Sequence, residues 1–162
     1  MSNTANRRSP ESAFTLIELI VVIAILGILS ATVLPKFVNL RREAILSTMD
    51  GINGALASAA TMTHAKASIA GVSSQAAATL VIDGTTIDLI YGYPAGTATG
   101  IVQTMMTPAD DWNQRASSFP GAWIYWHGVI TEDAYTAQCF LRYRQSTGPG
   151  LPPVIDVERS GC

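Results

Sequence analysis

The hydrophobic pattern changes period along the chain. Residues 14–34, FTLIELIVVIAILGILSATVL, form an apolar run whose only charge is Glu18. As a helix rising 1.5 Å per residue, the run spans about 30 Å, the thickness of a bilayer's hydrocarbon core. Beyond it the period becomes helical. Val38, Ile45, Met49, Ile52, Leu56, Ala59 and Thr63 recur at spacings of 7, 4, 3, 4, 3 and 4, one stripe of an amphipathic helix. We read residues 49–59 of that stripe as packing on the domain's own sheet. The pattern continues to about Ala70, with Gly71 as its stop. Pro35 lacks an N–H and removes the bond to the Ala31 carbonyl, which predicts a kink or local unwinding. A helix over residues 14–70 would be about 85 Å long. A domain of this size covers only the second half, so the first half is expected to protrude and to need a membrane, then sister helices. Gly27 and Ala31, four apart, permit close helix contacts.

After Gly71 the pattern shortens to period two. TLVIDGTTIDLIYGYP reads as two strands around Asp83-Gly84, a two-residue hairpin turn. Residues 99–106 read as a short helical turn, with its methionines as core filler. TPADDWNQRASSFPG reads as a loop from its Pro, Asp, Asn, Ser and Gly content. AWIYWHGVI, YTAQCFLRYR and PVIDVERSGC are rich in β-branched and aromatic residues and read as three further strands. The expected fold class is α+β: a long N-terminal helix laid on an antiparallel sheet of four or five strands.

Composition narrows the class. Charged residues are 14 % and hydrophobic residues 48 % of the chain, too apolar for a disordered polymer. The net charge of −2 offers no basic balance toward nucleic acid, and none is expected as a partner. Cys139 and Cys162 suit a single disulfide in an oxidising compartment, provided that segment is exported.

Two rivals compete for the apolar run. A cleaved secretory signal has a core of about 7–15 residues and then a small-residue cleavage site, whereas this run is longer and continues as a helix. A twin-arginine signal would use Arg7 and Arg8, but the polar, turn-prone Ser9-Pro10-Glu11-Ser12 follows them. A retained membrane helix fits better. Arg7 and Arg8 precede it while Lys36, Arg41 and Arg42 follow, so the positive-inside rule does not orient it. The cysteine pair places the C-terminal part outside.

Glu18 is the chemical signal in this stretch. One reading is a carboxylate snorkelling near a helix end. The other is a buried acid held by a positive partner. No Lys or Arg of its own chain lies within helical reach, so the partner belongs to another chain or is an amine created by processing. A new α-amino group at Phe14, with a pKa of about 8, would be protonated one helical turn from Glu18.

A hydrophilic leader with basic residues, followed by FTLIELIVVIAILGIL, resembles the class III signal of type IV pilins and type II secretion pseudopilins. The resemblance implies that a prepilin peptidase cuts the Ala13–Phe14 bond at the cytoplasmic face and methylates Phe14. It also implies that Glu18 pairs with a neighbouring subunit's N-terminal amine. Ala13 departs from the family's near-universal Gly, with a slower cut as the implied consequence. The implied divisions are a leader at 1–13, a transmembrane and assembly helix at 14–35, and a pilin globular domain at 36–162. Implied partners are identical and related pilin subunits, the peptidase and the inner-membrane assembly machinery. The chain would sit in the inner membrane, N-terminus cytoplasmic, before assembly into an extracellular pilus.

KFVNLRREA, YGYPAG at 91–96 followed by Gly100-Ile101, and the ending CFLRYRQ…PPVIDVERSGC resemble the mannose-sensitive haemagglutinin (MSHA) type of pilin. In such pilins two C-terminal cysteines bridge, which implies a Cys139–Cys162 disulfide bounding an exposed loop. On the chain-entropy account, such a bridge stabilises by about 3 kcal/mol. It would also pin a strand end that otherwise frays. The implied function is a structural subunit of a filament for adhesion or motility. Alternatives are a type II secretion pseudopilin, or a membrane-anchored periplasmic adhesin or binding module that never polymerises.

No enzyme is expected. His64 and His127 are far apart in sequence, and G-x-S-x-G, H-E-x-x-H, a phosphate-binding glycine loop and Cys/His ligand spacings are all missing. No cofactor and no metal site are expected. The acidic pairs Asp110-Asp111 and Glu132-Asp133 are candidate calcium ligands, but we read them as solvated loop charges. Trp123, Tyr125 and Trp126 are candidates for stacking on sugars. Alternation on a strand splits them between two faces and sends at least one to the core.

Overall fold

The computed structural model describes residues 15–105 and 111–162, with side chains at 34, 35 and 38 outside that description. The fold is α+β. The chain divides into two compact units, Met1–Arg41 and Arg42–Cys162. Helix α1, Leu16–Ile69, contributes to both, and its backbone is helical through Pro35. It ends in a Schellman arrangement: Gly71 adopts a φ of 72°, Val72 N–H donates to Ala67 O (2.9 Å) and Gly71 N–H to Ser68 O (3.1 Å).

Among the described residues seven strands follow, in two antiparallel sheets rather than the single sheet of four or five expected from sequence. The first holds β1 (Ala78–Ile82), β2 (Thr85–Ile90) and the two-residue β3 (Tyr93–Pro94). Both of its turns have two residues at positive φ: Asp83 (50°) with Gly84 (81°), and Tyr91 (50°) with Gly92 (79°). That conformation matches the twist of the strands it joins. The second sheet runs β4 (Trp112–Ala116), β5 (Ala122–His127), β6 (Phe140–Arg144) and β7 (Val154–Glu158) in that spatial order.

Two sequence readings are corrected here. The stretch taken as a loop contains β4, because Trp112 seats in the core and the backbone from there to Ala116 pairs along β5. Composition counts only turn-forming side chains, and β4 is an edge strand whose other four residues are exposed. The stretch beginning at Tyr135 is not wholly strand. A one-turn helix, α2 (Ala134–Ala137), precedes β6, capped by the Asp133 carboxylate accepting from Tyr135 N–H at 3.0 Å.

In the second unit the amphipathic stripe packs as expected at Met49 and Leu56, while the buried alanine is Ala60 and Ala59 is only half-buried. Met49, Leu56 and Ala60 of α1 meet Trp112, Tyr125, Leu141 and Tyr143 of the second sheet. Farther along the helix, Ala67 meets Ile87 and Leu89 of the first sheet. The opposite face of the second sheet carries a smaller cluster of Ile124, Ala134 and Phe140. The YGYPAG stretch joins the two sheets: Tyr143 Oη donates to Pro94 O (2.8 Å), and Gly96 N–H donates to Gln145 Oε1 (3.0 Å). A Cβ at Gly96 would stand 2.2 Å from Gly121 O, so this crossing requires glycine. Burial pushes the Tyr125 and Tyr143 phenols above their ordinary range.

Candidate functional site

The N-terminal half of α1 is apolar and bare. The window Leu16–Val33 has a mean hydropathy of 2.7, and none of it is buried within the chain. Thr32 is tied back to the helix, its Oγ1 donating to Leu29 O at 2.9 Å. Glu18 is similarly engaged at the helix start. Its carboxylate accepts from the N–H and the Oγ1 of Thr15, both at 2.9 Å. In return Thr15 Oγ1 accepts from Glu18 N–H at 3.3 Å. This is a capping box, with Thr15 as N-cap and Glu18 three residues on. The signal T-x-x-E lies open in the sequence, and sequence reasoning missed it by treating Glu18 only as a charge in lipid. Ala13 and Phe14, the expected cleavage and methylation positions, lie outside the described residues, as do Arg7 and Arg8.

Cys139 and Cys162 form a disulfide across 5.0 Å of Cα separation. Both sulfurs lie against the thioether of Met49, Cys139 Sγ at 3.6 Å and Cys162 Sγ at 3.5 Å. Neither sulfur carries a proton, so these are packing contacts between polarisable atoms. Arg159 bonds Asp50, the neighbour of Met49 on α1. Gly161 N–H donates to Gln138 O at 3.0 Å, and a Cβ at Gly161 would stand 1.8 Å from Ala137 O. Residues 158–162 therefore lie between α1 and the α2–β6 turn. Ser160 hydrogen bonds hold the Glu158 carboxyl below its ordinary range.

The other candidates separate. His64 stacks on Tyr93 with ring centroids 4.0 Å apart, while His127 meets Trp112 edge-on and accepts from Val129 N–H. Neither contact sets a base beside a nucleophile. Tyr125 is core, while Trp123 and Trp126 are half-buried on opposite faces of β5. Asp133 caps α2 and pairs with Arg115; Asp110 lies outside the described residues. Among the described residues no three of His, Cys, Asp and Glu gather as a metal set. On the outer face of the second sheet, Arg142 and Arg144 of β6 both bond Asp156 of β7. Partial burial raises the Asp156 carboxyl, but hydrogen bonds and charge from Arg144 and Arg142 outweigh it and hold the group below its ordinary range.

Residues 8–34 match the prokaryotic N-terminal methylation motif. That motif supports a type IV pilin-like protein. A pilin or pseudopilin motif points to a structural protein rather than an enzyme, to processing by a prepilin peptidase, and to membrane anchoring through the apolar helix. The α+β architecture, an apolar N-terminal helix followed by antiparallel sheets, is consistent with the pilin fold. Neither a curated protein nor a solved structure matches the chain.

Proposed function

We propose that the chain is the structural subunit of an MSHA-like type IV pilus. A leader of residues 1–13 is cut at Ala13–Phe14 and Phe14 is methylated. The helix of residues 14–35, bending at Pro35, then holds the domain of residues 36–162 in the inner membrane until the assembly machinery adds it to identical and related subunits. The observation carrying this reading is Glu18, the single charge in the apolar window Leu16–Val33, none of which is buried within its own chain.

Its carboxylate meets the protonated Phe14 amine of a neighbour as the helices bundle. A buried ion pair offers little net stability over apolar packing, but stranding one partner costs several kcal/mol. The pair therefore acts on register, penalising any stagger that leaves either group unmatched. The capping box accounts for half of the carboxylate's hydrogen-bonding capacity: both Thr15 contacts fall on Oε2, and Oε1 has no partner among the described residues. Glu18→Ala should give a precursor that inserts and is cleaved, yet yields few or no filaments in sheared supernatants. Normal filament yield would reject the assembly role. Electron microscopy of cell-surface filaments, with and without this chain, separates a pilus subunit from a secretion pseudopilin or a non-polymerising anchored module.

A further inference from the structure

We propose that residues 36–41 form an interfacial collar that binds the headgroups of anionic phospholipids and sets the depth of the helix in the bilayer. The proposal rests on the membrane-anchored reading above. The apolar window ends at Val33, yet large apolar side chains continue past it: Phe37 is 64 % exposed and Leu40 59 %. Lys36 and Arg41 are exposed as well, and neither has a carboxylate partner among the described residues.

Their order around the helix is what distinguishes a collar from a solvated face. Counting from Lys36 at about 100° per residue, Leu40 falls near 40°, Phe37 near 100° and Arg41 near 140°. Two apolar side chains are thus flanked by two cations on one arc of the helix. A water-facing arc gains nothing from an exposed Phe and Leu. At a membrane boundary the same arrangement sets the ring and the leucine in the interfacial zone, at headgroup level, with a cation on either side of them. The axial position agrees. Lys36 lies about 4–5 Å past Val33 at helical rise and Arg41 about 12 Å past it, and an arginine reaches back toward the boundary by snorkelling. Its guanidinium matches phosphate oxygens two at a time.

The charge of the collar comes from these two residues, since Arg42 and Glu43, next along the chain, have opposite signs. Continuity with the apolar window makes lipid phosphate the ligand rather than free phosphate, because a soluble anion would leave Phe37 and Leu40 in water.

The full chain would be reconstituted in phosphatidylcholine vesicles containing a quarter phosphatidylglycerol, with spin-labelled versions of each lipid reporting association. We expect a preference for phosphatidylglycerol of about thirtyfold at low salt, the product of about fivefold for each of two basic residues near an anionic surface. Lys36→Gln/Arg41→Gln should bring the ratio close to one, and Arg42→Gln should leave it near wild type. Salt at about 0.5 M, with a Debye length of roughly 4 Å, should lower the wild-type ratio as the double substitution does. A wild-type ratio of one, or a preference surviving in the double variant, would overturn the collar. Release of the wild-type chain from membranes by alkaline carbonate would instead overturn the anchored reading, whatever the lipid ratio.

Discussion

Thr15 and Glu18 cap each other at the start of α1, the carboxylate taking two hydrogen bonds from Thr15 and the hydroxyl taking one from the Glu18 backbone. Glu18 therefore has a local role besides the inter-subunit role proposed for it. A glutamine in the same place can keep the cap, because the capping box accepts either residue. It cannot keep the charge.

Substitutions at these two positions should separate the roles. Thr15→Ala removes the cap and should weaken the helix start by about 1 kcal/mol, with filament yield staying close to wild type. Glu18→Gln should preserve helicity by circular dichroism in detergent yet reduce filaments as severely as Glu18→Ala. Equal filament yields for Glu18→Gln and wild type would assign Glu18 to the cap alone.

The disulfide and Met49 should behave as one unit. Cys162→Ser should lower stability by about 3 kcal/mol. Met49→Ala should cost about 2–5 kcal/mol through the cavity left beside the sulfurs. The double variant should lose measurably less than the sum of the two, because the groups are in contact. Urea denaturation of the four proteins checks this, and strict additivity would show the sulfur contacts to be incidental.

Asp156 gives the second sheet an acid-sensitive edge. Its folded-state pKa is depressed, so the stability it contributes is fully present above the unfolded value of about 3.9 and is lost as pH falls through the lower folded value. Asp156→Asn should therefore be less stable than wild type at pH 7, and the gap should narrow below about pH 4. Thermal melts from pH 7 to pH 2 read this directly. A gap independent of pH would mean that Arg142 and Arg144 do not stabilise the ionised form.

Glycine substitutions should have opposite signs at different places. Gly51 and Gly54 lie within α1 and a Cβ there meets nothing within 4 Å, so Ala at either should stabilise by about 0.5–1 kcal/mol. Gly96→Ala and Gly161→Ala place a Cβ against backbone at 2.2 and 1.8 Å and should destabilise strongly. Melting temperatures of the full chain in detergent check all four.

Much of this architecture was legible because long-period signals are local. The apolar run, the amphipathic stripe, the Gly71 stop and the Asp83-Gly84 turn each follow from spacing within a few residues. What was not legible depends on contacts distant in sequence. The division into two sheets is settled by where the YGYPAG crossing docks, through Tyr143 to Pro94 and Gln145 to Gly96, which no local pattern encodes. Strand β4 was hidden because only Trp112 among its residues is buried. The contact of Met49 with both cysteine sulfurs spans most of the domain. The capping box was a different kind of miss: the signal was local, but the membrane question took precedence over helix chemistry at Glu18.

The burial of Met49 also bears on how the protein meets oxidants. Peroxide converts thioethers to sulfoxides where solvent can reach the sulfur. Met49 is wholly enclosed against the Cys139–Cys162 bridge, whereas Met62, on the same helix, is 64 % exposed. An added oxygen at Met62 projects into solvent and leaves the core untouched; the same oxygen at Met49 would have to find room in a closed core beside the cystine sulfurs. Limited peroxide treatment followed by peptide mass mapping should find Met62 modified first and Met49 unmodified until the domain unfolds. The helix thus carries one sulfur that records chemical exposure and another that stays as synthesised for as long as the fold persists.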